Sequence, residues 1–208
     1  MNLLLFGLLL TVLSFITPYK VGDSMQIIDI LPDFIGYLLV WFMLEKRRIN
    51  KRMSGLYTAT AIMTVVSFLY FLGQIKVFFA DTLVGNLKIL GLLLDGVTYV
   101  TANYNDLILL VAVILLAWLH FAMLEYWERK EEHQLQRKVC VAGMVLCGVA
   151  ALGHLGATFI LLPFSWHWIC YPASVLAVAA AWFVMKDSQE MLTGTNEPVT
   201  ERRFGVKK

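Results

Sequence analysis

The chain has 208 residues, 59% of them hydrophobic and 15% charged, with a mean hydropathy of +0.71. Soluble domains carry about 25% charged residues, so this composition excludes a soluble globular protein and predicts an all-α, polytopic transmembrane helix bundle. A net charge of +2 gives no case for a nucleic-acid partner, and the lipid bilayer is the first partner implied.

Six apolar spans are expected, at 3–18, 31–45, 54–80, 104–127, 139–162 and 168–186. The first has no basic n-region and no A-x-A cleavage site, so it reads as a retained span rather than a secretory signal. Its Gly7, Thr11 and Ser14 share a face. The second opens on 31-LPDFIGYLL-39. Its helix begins at Pro32, or runs on from about Met25 with a kink at Pro32, which would put Asp29 and Asp33 on one face. The third carries Thr60, Thr64, Ser67 and Gln74 along one face. Each hydroxyl there either returns a bond to its own helix backbone or lines a polar cavity.

A further apolar stretch, 83-LVGNLKILGLLLDGV-97, holds Lys88 and Asp95 and is expected as an extra outer-leaflet or re-entrant helix near 83–100. Charge supports this reading. The run 45-EKRRINKR-52 should be cytoplasmic. With six spans, 14 of the 17 Lys and Arg residues fall on that side, leaving Lys20, Lys76 and Lys88 outside. A seventh crossing would move 125–138 and the basic tail outside. Both termini are therefore expected in the cytoplasm, with 1–186 as the membrane domain and 187–208 as a flexible cytoplasmic tail. Aromatic belts are expected at Tyr57, Tyr126, Trp127 and Trp182 inside, and at Tyr19, Tyr104, Trp166, Trp168 and Tyr171 outside.

Small residues mark helix interfaces in lipid. Gly143, Cys147, Ala150 and His154 line one face of the fifth span, and Ala173, Ala177 and Ala181 recur every fourth residue in the sixth. A tight hairpin between these spans follows. Cys140, Cys147 and Cys170 read as small packing residues. Cys140 and Cys147 stand about 10 Å apart along a helix, too far for a disulfide.

No catalytic signature is present: no HExxH, GxSxG, P-loop or GxGxxG. The histidines have no metal-ligand spacing, and no cofactor is implied. Depth is the more informative measure. Asp106 lies 21 residues from Trp127, about 31 Å, and reads as a helix cap at the surface. Asp33 lies only 12 residues from Glu45, about 18 Å, which places it inside a hydrocarbon slab about 30 Å thick. Ionisable residues at such depth are costly and mark functional sites. Ser67 and His154 reach similar levels, whereas His120 belongs to the other leaflet. Asp33, Ser67 and His154, with Asp29, are the candidate binding residues. The alternative is a bilayer thinned over a short second span, which would leave Asp33 in water.

The run 31-LPDFIGYLL-39 resembles a signature of small multi-pass membrane proteins of Gram-positive, often anaerobic, bacteria. The resemblance covers one span and implies a bacterial plasma membrane, without implying an activity. Three functions compete. One is a transport or solute-binding component whose Asp33 engages a cation, proton or amine from outside. Another is a structural or regulatory subunit that holds a membrane-protein partner, a second copy or anionic lipid through 46-KRRINKR-52. The third is an intramembrane enzyme using Asp33 and His154 as acid and base.

Overall fold

The computed structural model describes residues 2–13, 16–21, 24–29, 33–45, 51–79, 92, 96, 105–128, 133–160 and 167–194. Six helices dominate: α1 (Asn2–Val12), α2 (Asp33–Glu45), α3 (Lys51–Phe79), α4 (Asn105–Glu128), α5 (Gln134–Ile160) and α6 (His167–Gly194). A two-stranded antiparallel hairpin, β1 (Ile16–Val21) and β2 (Ser24–Asp29), joins α1 to α2.

Four of these helices are long and apolar enough to cross a membrane, over Lys51–Leu72, Ile108–Glu128, Gln134–Gly156 and Trp168–Lys186. They match the four later spans expected from sequence. The first expectation needs correction, and of the two starts weighed for the second span the one beside Pro32 agrees with α2, which begins at Asp33. The apolar segment 3–18 is not one helix, because α1 stops at Val12 and β1 begins at Ile16. Nor does α2 extend up to Met25, which lies in β2. The bundle is helical but not purely α.

At 11 and 13 residues, α1 and α2 rise only about 16 and 20 Å, short of a hydrocarbon core of about 30 Å. They pack antiparallel through two glycines. A Cβ on Gly36 would stand 2.8 Å from Leu10 Cβ and 2.9 Å from the Gly7 carbonyl oxygen. One on Gly7 would stand 3.0 Å from the Gly36 carbonyl oxygen and 3.2 Å from Val40 Cγ2. Only hydrogen at both positions permits this backbone approach, as small residues do at helix crossings in lipid.

The hairpin pairs Ile16 with Asp29 at its base and Val21 with Ser24 at its far end, a ladder about 20 Å long. Only Gly22 and Asp23 separate the last partners, and a Gly-Asp pair between β-branched and aromatic runs is a sequence signal for a hairpin. Mean hydropathy hides it. β2 touches α3, which at 29 residues is about 43 Å long and overshoots α2.

Neighbouring helices in the chain pack on one another, α6 returns to α1, and α4 leans against α1 and α6 as well as α3 and α5. The result is a closed ring in which α2 and α5 sit across from each other. Direction along the ring is fixed by contacts at helix ends. Arg52 at the start of α3 pairs with Glu125 near the end of α4 at 3.3 Å and stacks over Phe121 at 3.9 Å. Arg137 of α5 donates to the carbonyls of Trp127 and Glu128 at 3.1 and 3.2 Å, closing the C-terminal end of α4. So α3, α4 and α5 alternate in direction, and the starts of α3 and α5 share one end of the bundle with the end of α4.

The expected α5–α6 interface is present: Cys147, Ala150, Ala177 and Ala181 are all buried, and Gly153 gives Cys170 Sγ its space. All three cysteines are free and buried, as expected for packing residues. Two of the expected belt residues differ in exposure. Trp168 is exposed at the start of α6, but Trp127 is fully buried, packed between Tyr126 and His133. Tyr104, Trp166, the side chain of Tyr19 and the tail beyond Gly194 lie outside the described residues, as does 83–100 apart from Leu92 and Gly96.

Candidate functional site

The core is apolar, but the surface is apolar as well, and a few polar side chains are enclosed. Leu3, Phe6, Phe42, Ile62, Val65, Val145, Leu152 and Leu176 are exposed, while Thr11, Asp33, Thr60, Ser67, His120, His154 and Ser174 are buried. Lipid accepts the first set, and the second marks where polar chemistry is held.

Asp33 is the first residue of α2 and only 8% exposed, so it faces the protein and not lipid. Its carboxylate sits at a helix N-terminus, where the unpaired amides and the helix dipole favour negative charge. Tyr37 follows one turn along the same face, 2% exposed and within the electrostatic reach of that carboxylate. Phe34 packs on Phe68 and Phe71 of α3, with ring centroids 5.2 and 5.4 Å apart. That contact brings the start of α2 level with buried Ser67, so Asp33 and Ser67 lie at one height on neighbouring helices.

His154 goes elsewhere. It is buried on α5 with its ring 6.2 Å from Tyr171 of α6, edge to face, and α5 is across the ring from α2. The depth count placed Asp33 and His154 at similar heights, but height says nothing about direction around a helix axis. The structure therefore does not bring together the acid/base pair considered from sequence. Asp29 ends β2 and does not share a helical face with Asp33; its side chain lies outside the described residues.

Below Asp33 is a cavity of about 20 Å³ between α1, α2, α3 and α4, lined by Thr11, Tyr37, Thr60, Ala112 and a set of leucines. The backbone-returned bonds expected of the α3 hydroxyls are present at Thr60 and Thr64, and of the described α3 polar residues only Thr60 lines the cavity. Thr60 Oγ1 donates to the Leu56 carbonyl at 2.8 Å and Thr64 Oγ1 to Thr60 at 2.9 Å, yet Thr60 also faces the cavity. Tyr37 was not singled out from sequence, although its i+4 spacing from Asp33 carries the signal.

A second polar junction also escaped the depth count. His120 of α4, 1% exposed, lies with Nε2 3.0 Å from the Ala177 carbonyl oxygen of α6. A carbonyl only accepts, so Nε2 carries the proton. The imidazole lies over Gly143 of α5, where an added Cβ would overlap the ring. His120 thus ties three helices together. Among the described residues there is no group of three or more His, Cys, Asp or Glu able to hold a metal ion.

Comparison with known proteins finds no matching family model, no matching curated protein and no matching solved structure.

Proposed function

We propose that this chain is a transport or solute-binding component of a bacterial cell membrane, with a cation, proton or amine site at Asp33 open to the outside. Helices α3–α6 cross the bilayer, and both termini face the cytoplasm with the basic run 46-KRRINKR-52. The short pair α1–α2 enters from the cytoplasmic side and stops at the level of Asp33.

The observation that carries this reading is a carboxylate buried at the start of a helix only 13 residues long. Measured from Glu45, it lies about 18 Å along that helix, within the depth of the hydrocarbon. The hairpin supports access from outside. Among the described residues each strand pairs only with the other, so both outer edges present backbone amides and carbonyls. Such edges are not tolerated against lipid tails. Water beside the hairpin would satisfy them and would reach Asp33 from the outer surface. Ser67 adds a hydroxyl at the same height.

Purified protein in detergent tests this. Thermal stability is followed while Na⁺, K⁺, ammonium and methylammonium are titrated, and the protein in proteoliposomes is assayed for uptake of whichever cation stabilises it. One of them should raise the melting temperature of the wild type and leave Asp33→Asn unchanged, with Asp33→Glu intermediate. Equal responses from wild type and Asp33→Asn would remove Asp33 from the site.

A further inference from the structure

We infer that the cavity beneath Asp33 is a single-water site that joins α1, α2 and α3 through Tyr37, Thr11 and Thr60. It does not depend on what Asp33 binds.

The Tyr37 hydroxyl is buried and has no hydrogen-bond partner among the described residues. A buried hydroxyl left in this way is strongly disfavoured. Thr11 Oγ1 donates its proton to the Leu8 carbonyl at 2.9 Å, and Thr60 Oγ1 donates to the Leu56 carbonyl at 2.8 Å. Each threonine has therefore spent its one donor and keeps lone pairs to accept. Tyr37 retains a proton to give. All three residues line the same cavity.

One molecule completes the set. A water accepts from the Tyr37 O–H and donates one hydrogen to each threonine oxygen, making the three bonds usual for buried water. A volume of about 20 Å³ is enough for about one water and for little more. The rest of the wall is Leu8, Val40, Leu56, Ala112, Leu115, Leu116 and Leu119. That apolar wall disfavours an ion, whose charge would be far more costly to hold there.

The function of this water is positional. α1 and α2 are too short to be held by span length, and Thr11 of α1 and Tyr37 of α2 share the cavity wall with Thr60 of α3. A shared water fixes Tyr37, and so the turn of α2 that begins at Asp33, against the long helix.

The test is a double-mutant cycle on thermal stability with Tyr37→Phe and Thr60→Val, plus a structure of the wild type that resolves ordered water. With a bridging water, each single change lowers the melting temperature by ~2–4 °C, and the double change costs clearly less than the sum, because the second removes a bond already lost. Density for one water within hydrogen-bond distance of Tyr37 Oη and both threonine oxygens is expected. Without the water, Tyr37→Phe would raise stability by removing a stranded hydroxyl, and the two changes would add. Either result overturns the assignment. So would a Na⁺- or K⁺-dependent rise in melting temperature lost in Tyr37→Phe but kept in Asp33→Asn, which would put a cation in the cavity.

Discussion

At Gly143 two single-residue effects oppose each other, and their sizes decide which wins. Alanine in place of glycine inside a helix gains about 1 kcal/mol in propensity. Here the new methyl would overlap the imidazole of His120, which is held in place by its bond to Ala177. Overpacking of this kind costs about 1–3 kcal/mol. The difference, about 0–2 kcal/mol against folding, means that Gly143→Ala should lower the melting temperature by up to ~4–8 °C, and adding His120→Ala should recover part of the loss. A stabilised Gly143→Ala would show that the ring yields freely. Gly143 was legible in the sequence as part of a small-residue stripe, but its partner was not. Spacing along one helix reports which residues share a face, and no count along that helix names the side chain opposite. The same limit separates Asp33 and Ser67, which the fold does align, from His154, which it turns toward Tyr171.

Elements differ in how far composition exposes them. The four long helices are apolar over windows longer than any soluble helix face needs, and their positions were readable directly. The hairpin was not, because 16-ITPYKV-21 and 24-SMQIID-29 are apolar enough to extend a predicted span, while the turn signal Gly22-Asp23 is only two residues long. Hydropathy measures transfer to lipid and carries no information on which backbone amide pairs with which carbonyl. Helix ends are equally local. Arg137 gives α4 a C-terminal cap by donating to the Trp127 and Glu128 carbonyls. Arg137→Ala should cost about 1 kcal/mol and speed hydrogen exchange in the last turn of α4. Arg137→Lys recovers only part, because an ammonium lacks the planar fork that reaches two carbonyls at once. Unchanged exchange in both variants would mean the cap is redundant. Where α1 crosses α2, Gly36→Leu should be more damaging, since its Cβ alone meets Leu10, Thr11 and the Gly7 carbonyl. A loss of folded yield in detergent, with Leu38→Ala on the exposed side of the same helix as a tolerated control, is the expected result.

For the whole molecule, the ring and its charges make separate statements about threading. Contacts between helix ends say only which ends lie together. Arg52 meets Glu125, Arg137 meets the end of α4, and Gly153 and His154 meet Cys170 and Tyr171. The start of α3, the end of α4 and the start of α5 therefore share one end, and the start of α6 lies at the other. The positive-inside rule adds the side, because the basic runs flank the first of these ends. Single cysteines separate the two statements. Cys140, Cys147 and Cys170 are buried and can be replaced by alanine to give a silent background. Lys51, Glu128 and Trp168 are exposed, and each then receives a cysteine in turn. In intact cells a membrane-impermeant maleimide should label Trp168→Cys and should reach Lys51→Cys and Glu128→Cys only after permeabilisation. If Lys51→Cys and Glu128→Cys label from opposite sides, the antiparallel packing of α3 and α4 is wrong. If all three reverse together, the packing stands and only the orientation fails. In that case Asp33 would open toward the cytoplasm, and the uptake assay would have to be run in the opposite direction.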